Sequence, residues 1–419
     1  MRTTLFHIPA ELAGLPVFGF GWLLLAWVAL AIAVSLWLAR SSEGRREIAG
    51  YLPFFVIVGG VIAFGLPNLV EKPLGLPIRG YGVMLMIATV SAVALAAYRA
   101  WQVGFDPEVI YSLALVMFLA GILGARLFYV VEYWQEEFSP YRTGSVVNTF
   151  WAILNVPKGG LVVYGSVLFG VPAGIWFCRR RGLPALAIGD IIAPSMVLGL
   201  ALGRVGCFLN GCCFGGVCLT HNYAISFPAE SPPYVQQERF GWDSGVWLES
   251  KEGHVVAAYV APHGAARDAG LKPGDEITSI NGAKVTSLAD ARERLAIGKN
   301  FFEVETTDGR VLRWNSGDGP PRSVPIHATQ LYAAIDAGLL ALVLWLYFPY
   351  RRHDGEVFAL LLTLHPISRF LLEMIRTDEP KHPLTISQWL SLVILAGGMA
   401  LWVYIERQPR SSALPAAAV

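Results

Sequence analysis

The sequence predicts a polytopic α-helical membrane protein, with about nine transmembrane helices and a small soluble α+β insert. Three observations predict it. The 419 residues are 54% hydrophobic and 15% charged. Soluble domains carry about 25% charge, so much of this surface faces something other than water. Apolar runs close to the ~20 residues that a helix needs to cross a bilayer recur along the chain. One stretch in the second half, about 241–316, breaks that pattern with charged, strand-like sequence. The net charge of +1 carries no field that would draw nucleic acid, and no such partner is expected.

The expected spans are Val17–Ala39, Tyr51–Val70, Tyr81–Ala100, Ile110–Tyr133, Leu161–Cys178, Ala185–Phe208, Gln330–Tyr350, Val357–Ile375 and Ser387–Ile405. The first is too long for a signal-peptide core and has no small-residue cleavage site after it, so it reads as a retained span. Basic residues follow the odd-numbered spans: Arg40, Arg45 and Arg46; Arg99; Arg179, Arg180 and Arg181; Arg351 and Arg352; Arg407 and Arg410. Lys and Arg collect in cytoplasmic loops. The expectation is a multi-pass protein of a bacterial inner membrane, N-terminus outside, C-terminus cytoplasmic, insert periplasmic. Leu15–Gly21 and Leu76–Gly82 share a short pattern ahead of their spans, from either an internal repeat or common membrane-crossing chemistry.

Within the insert, Val255–Val260 reads as a strand and Ala265–Gly270 as a short helix closed by glycine. Ile280-Asn281-Gly282 reads as a hairpin turn, Leu288–Leu295 as an amphipathic helix, and Asp308-Gly309 as a turn between two further strands. The run Ala269–Val285, AGLKPGDEITSINGAKV, resembles bacterial PDZ domains. That resemblance implies either a peptide or protein ligand added as a strand to a sheet edge, or a PDZ-shaped spacer.

Ionisable groups inside spans are costly and mark function. Gly203–Gly215 ends the sixth span with Arg204 among closely spaced glycines that permit close backbone approach. Arg369, Glu373 and Arg376 are spaced i, i+4, i+7 on one expected helix face, followed by Asp378. Two guanidiniums around a carboxylate suit either a phosphate headgroup or an internal helix lock. His327, Gln330 and Tyr332 open the seventh span. His365 precedes Pro366 in the eighth, as a packing histidine or a ligand-binding one. Most of these groups fall at the outer membrane face.

Together these motifs resemble prolipoprotein diacylglyceryl transferases, whose signature is G-R-x-G-N-F-x-N-G-E-x-x-G. Gly203, Arg204, Gly206, Phe208, Asn210, Gly211 and Gly215 match it. His327–Tyr332 resembles the family's H-P-x-Q-L-Y, Arg79–Gly82 its R-x-Y-G with Tyr81, and Gly124–Tyr129 its G-x-R-x-x-Y with Arg126. Arg369–Asp378 resembles its late R-x-x-x-E-x-x-R-x-x-D region, one residue short before the Asp. Cys207 and Cys212 replace the signature Asn and Glu, and Tyr164 stands where the family has a His. The resemblance implies four regions: two additional helices (1–75), a first core part (76–215), a PDZ-like insert (241–316) and a second core part (325–408).

It also implies transfer of a diacylglyceryl group from phosphatidylglycerol to the lipobox cysteine thiol of prolipoproteins, recognised through their signal peptides. Arg204, Arg369, Glu373, Tyr164 and His327 are the implied catalytic residues. Tyr81, Arg126, Asn210, Gly215, Tyr332, His365, Arg376 and Asp378 are the implied substrate-binding residues. His327 or His365 supplies the base, and Tyr164 positions the headgroup. The alternatives are a related lipid-transfer enzyme with another acceptor, or a non-catalytic lipid- and peptide-binding relative. A site-2-type protease, which also carries PDZ inserts, needs H-E-x-x-H, and the chain has none. No cofactor is expected. Cys207, Cys212, Cys213 and Cys218 lack the two separated C-x2-4-C pairs of a zinc site, so disulfides are favoured over metal, with free buried thiols the other alternative.

Overall fold

The computed structural model describes residues 4–71, 73–139, 144–155, 159–221, 223–298, 301–317, 319–376 and 384–408. Asp378 lies outside them. The chain divides into two units, Met1–Met84 with Leu209–Gly211, and Leu85–Phe208 with Cys212–Val419.

In the first unit, β1 (Thr4–Ile8) pairs antiparallel with β4 (Leu76–Arg79), His7 opposite Pro77. A Cβ on Gly75 would lie 2.1 Å from the Ile8 carbonyl oxygen, so only glycine admits this crossing. The hairpin of β2 (Glu11–Leu12) and β3 (Leu15–Pro16) precedes α1 (Trp22–Leu38). α2 (Ser42–Gly60) continues through one π-helical and one 3-10 turn to Leu69. Both copies of the short pattern thus become a strand ahead of a helix.

α3 (Gly80–Gln102) runs into the second unit. There follow α4 (Pro107–Glu132), α5 (Val146–Leu154), α6 (Val163–Arg180) and α7 (Ala185–Asn210). After the insert come α11 (Thr329–Tyr347), α12 (Glu356–Glu373) and α13 (Ile386–Glu406). Among the described residues six helices are long and apolar enough to cross a membrane, and α1 is a shorter apolar one. Three of the nine expected spans, α1, α6 and α12, are helices outside those six. α12 carries Glu356, His365, Arg369 and Glu373, and these charges give it its polar character. α3, α7, α11 and α12 share one apolar core, including Ala100, Ile191, Val197, Ala337, Leu344, Phe348 and Val357.

One end of this core is fixed by carboxylates. Asp190 is fully buried and accepts from Gly355 N at 2.7 Å and Phe358 N at 2.9 Å, satisfying two of the orphan donors that open α12. Glu356 accepts from Arg352 N, His353 N and Tyr347 Oη at 2.9–3.0 Å. A buried carboxylate bonded this way is satisfied rather than stranded.

The insert has its own core. β5 (Val246–Lys251) pairs with β6 (His254–Val260). β7 (Ile277–Ile280), β8 (Ala283–Lys284), β9 (Phe301–Thr306) and β10 (Val311–Asn315) form a sheet of order β10-β9-β7-β8. Asn281 (φ 51°) and Gly282 (φ 75°) make the left-handed turn that Asn-Gly permits. α8 (Pro232–Glu238) precedes this fold, and α9 (Ala265–Asp268) and α10 (Leu288–Ile297) pack within it. Leu248, Ala257, Ile280, Leu295, Phe302 and Trp314 are among its buried side chains. Two chain segments tie it to the membrane helices as a stem. Cys218 N donates to Pro325 O, Phe227 N to Ser323 Oγ and Val324 N to Gln237 Oε1, all at 2.8–2.9 Å.

Candidate active site

At the base of the stem three sequence motifs become one backbone assembly. Gly215 N donates to His327 O at 3.0 Å, His327 N to Gly216 O at 2.9 Å and Gly216 N to Ile375 O at 3.1 Å. Gly215 and Arg376 form an antiparallel bridge. A Cβ on Gly215 would lie 2.7 Å from Thr329 Cγ2 and 2.8 Å from His327 Cβ, so glycine is required for the approach. Thr329 Oγ1 donates to Cys213 O and Gln330 Nε2 to Cys212 O, both at 2.8 Å. The Gly203–Gly215 run is therefore pinned to the start of α11.

The bridge corrects one expectation. Arg376 does not share a helix face with Arg369 and Glu373, because α12 ends at Glu373 and the chain turns to meet Gly215. The three charges still meet. Arg369 Nη1 lies 2.5 Å and Arg376 Nη1 3.5 Å from Glu373 Oε2, and Glu373 is 1% exposed. Arg369 Nη2 donates to Ser387 Oγ at 2.7 Å, and Thr385 Oγ1 donates to Glu373 Oε1 at 3.4 Å. A capping box of Thr385 and Gln388 fixes that first turn of α13. Arg204 and Arg369 are both within electrostatic range of His365, whose buried Nδ1 has no hydrogen-bond partner among the described residues. Ser368 Oγ donates to Asp336 Oδ2 at 2.7 Å, placing a further acid beside this group. Three guanidiniums thus outnumber the buried Glu373 where a phosphate would bind best.

His327 stands in a polar aromatic cluster. Its ring lies 6.3 Å from Tyr332 and 6.4 Å from both His221 and Tyr223, which stack on each other at 4.8 Å. Among the described residues, His327 Nδ1 and Tyr332 Oη are buried without hydrogen-bond partners. Such atoms are costly unless a ligand or water meets them. Burial, and after it His221, pushes the His327 imidazole below its ordinary value.

Arg126 has a backbone-holding role that the sequence did not display. α4 and α6 cross backbone to backbone: a Cβ on Gly165 would lie 2.2 Å from Gly124 O. Beside that crossing, Arg126 donates to the carbonyls of Ile153, Gly159, Gly160, Ala152 and Asn155 at 2.7–3.2 Å. An arginine has five N–H donors, and all five are engaged on backbone. The guanidinium therefore holds the end of α5 and the Gly159-Gly160 backbone ahead of Tyr164, which lies half-buried in the first turn of α6. Arg126, Tyr129, Glu137 and Gly159 line a cavity of about 240 Å³ there. In the first unit, Tyr81 opens α3 and is exposed, and Asn210 ends α7 half-buried.

None of the five cysteines forms a disulfide. The sulfurs of Cys207, Cys212 and Cys213 lie within 4.8 Å of one another. Hydrogen bonds from Cys207 and Cys212 hold the Cys213 thiol well below the ordinary thiol range, and the charges of Arg204 and Arg376 add to that.

A family model described as prolipoprotein diacylglyceryl transferase matches residues 67–404. The chain belongs to this family. The phosphatidylglycerol–prolipoprotein diacylglyceryl transferase of Rhodopirellula baltica is 32% identical, over 95% of this chain and 88% of its own. Its namesake from Clostridium tetani is 28% identical over 46% of this chain and 79% of its own. That from Synechococcus elongatus is 34% identical over 42% and 57%. For a prolipoprotein diacylglyceryl transferase family member, the matched span holds every site residue named above.

Four residues escaped the sequence reading: His221, Tyr223, Asp336 and Ser387. Asp336 had a signal, since an acid eight residues into an apolar helix needs a partner. His221 and Tyr223 lie in a loop, and no periodicity places them beside His327.

Proposed function

We propose that this protein transfers the diacylglyceryl group of phosphatidylglycerol to the lipobox cysteine thiol of prolipoproteins, at the periplasmic face of a bacterial inner membrane. The observation that carries the reading is the gathering of Arg369 and Arg376 on buried Glu373, on the same backbone assembly as His327. The named relatives act on these substrates.

The acceptor thiol becomes a thiolate and attacks the glyceryl carbon that bears the phosphate ester. A C–S bond forms. The C–O bond breaks with its electron pair going to the phosphate, and glycerol phosphate leaves. Arg204, Arg369 and Arg376 stabilise the charge that grows on the leaving phosphate. Glu373 aims the two arginines. His327, kept neutral by its surroundings, accepts the proton, and Tyr332 and His365 bind the headgroup with Asp378. Tyr164 orients it, and Arg126 acts on Tyr164 through the turn it holds. Gly215 serves substrate binding by letting the Arg376 bridge and His327 close up on one another. Tyr81 and Asn210 keep their binding roles on the strength of their motifs.

The nine-span arrangement, N-terminus outside, and the four regions at 1–75, 76–215, 241–316 and 325–408 belong to the same reading. So does a PDZ-like identity for the insert. Arg292 on α10 donates to Leu248 O of β5 at 2.8 Å and occupies that strand carbonyl. This supports a capping role at that edge.

Complementation tests the proposal. In a strain depleted of its own transferase, the intact gene restores growth and lipoprotein processing, while Arg204→Ala and Arg369→Ala do not. Rescue by both variants would remove the arginines from the mechanism, and no rescue by the intact gene would point to another acceptor.

A further inference from the structure

The three gathered thiols have no part in the reaction as written above. We infer that Cys207, Cys212 and Cys213 form a three-thiolate site for a zinc-class cation, whose fourth position takes the acceptor cysteine and holds it as a thiolate. The identity of the acceptor rests on the proposed function; the metal site does not.

Geometry comes first. The three sulfurs lie within 4.8 Å of one another. A triangle with no edge above 4.8 Å contains a point no more than about 2.8 Å (4.8/√3) from every corner. Zinc–thiolate bonds are about 2.3 Å, so closure asks each sulfur for roughly half an ångström. A disulfide uses two sulfurs and gives no reason for a third to converge. Metal coordination does.

The backbone holds this arrangement. Cys207 sits on the last turns of α7, and Cys212 and Cys213 follow a reversal at Gly211, φ 77°. Cys213 itself adopts φ 59°, a left-handed conformation that costs a non-glycine residue about 1 kcal/mol or more. That conformation directs its thiol toward the other two. The carbonyls of Cys213 and Cys212 are held from outside by Thr329 and Gln330 at 2.8 Å. Outer hydrogen bonds of this kind orient metal ligands.

The chemistry fits a catalytic site better than a structural one. Structural zinc has four protein ligands, whereas three protein ligands and an open position mark catalysis. Three thiolates and a divalent cation leave one negative charge, and the Arg204 and Arg376 guanidiniums are in electrostatic range to balance it. A thiol that coordinates is deprotonated outright. The acceptor S–H proton leaves to His327 or water, and the metal-bound sulfur then attacks the glyceryl carbon as before.

The test uses the full-length protein in detergent, stripped with chelator and titrated with cobalt(II). One equivalent binds with a thiolate-to-cobalt charge-transfer band. Cys207→Ser, Cys212→Ser and Cys213→Ser each weaken binding by about tenfold or more, and Cys178→Ser does not. Adding a lipobox peptide shifts the cobalt spectrum without phosphatidylglycerol, and its Cys→Ser analogue leaves it unchanged. Absence of stoichiometric cobalt or zinc binding by the wild type overturns the site, as does a native disulfide between two of the three. Undiminished transfer by metal-free protein overturns the open-position role. A metal-bound, peptide-responsive protein that makes no lipid product leaves the site standing and refutes the transferase reading instead.

Discussion

Gly215 and His327 are joined backbone to backbone, N to O at 3.0 Å, so closely that a methyl on Gly215 would lie 2.8 Å from His327 Cβ. Residues 112 positions apart in sequence thereby become neighbours, with the insert between them. A side chain at 215 pushes His327 away from Tyr332 and Tyr223.

Gly215→Ala therefore overpacks a site with no room. Overpacking costs about 1–3 kcal/mol. The variant melts several degrees lower in detergent and transfers lipid at least about tenfold more slowly. Wild-type melting and turnover would place the Gly215 contact outside the working site.

Glu373→Gln keeps the shape of the side chain but removes the charge that pairs Arg369 and Arg376. Breaking a buried ion pair at one partner costs about 3–5 kcal/mol. The variant loses both stability and activity, and Arg369→Lys, which cannot hold Glu373 and Ser387 with one planar fork, does not behave as wild type. Thermal melts and turnover with phosphatidylglycerol check both.

Arg126→Lys replaces five backbone-directed donors with at most three on a point charge. Hydrogen exchange in the described carbonyl-bearing turn around 152–155 and 159–160 rises. Turnover falls, while KM for phosphatidylglycerol changes little. A large KM effect with unchanged exchange would instead indicate direct lipid contact.

The His327 imidazole is held below its ordinary value by burial, then by His221. Between the folded and unfolded values the unfolded chain binds more protons, so stability rises with pH through that window. This contribution is fully present above the ordinary value of about 6.5 and is lost as pH falls through the folded value. As a base His327 works neutral, so the acid limb of the transfer profile lies below about pH 6.5. His327→Gln removes that limb. An unchanged limb in the variant assigns the base elsewhere.

Much of this was legible in the sequence, and the rest was not for physical reasons. Arg204, Glu373 and Gly215 stood out because charges in apolar helices and clustered glycines are improbable without a purpose. Ile280-Asn281-Gly282 announced its turn because few residues adopt positive φ. Arg376 was misplaced because i, i+7 spacing presumes a continuing helix, and a bridge to Gly215 ends it instead. The backbone grip of Arg126 went unseen because its partners are carbonyls, which every residue has and no sequence pattern displays. The clustered cysteines stood out, but their spacing argued for disulfides over metal, because a turn at Gly211, not a spacing rule, brings Cys212 and Cys213 to Cys207.

The central claim is tested most directly by mass spectrometry of a lipobox peptide incubated with purified protein and phosphatidylglycerol. The account predicts a peptide carrying a thioether-linked diacylglyceryl group, release of glycerol phosphate, and loss of both with Arg204→Ala and Arg369→Ala. An unmodified peptide with the wild type, or full product with both variants, would contradict it.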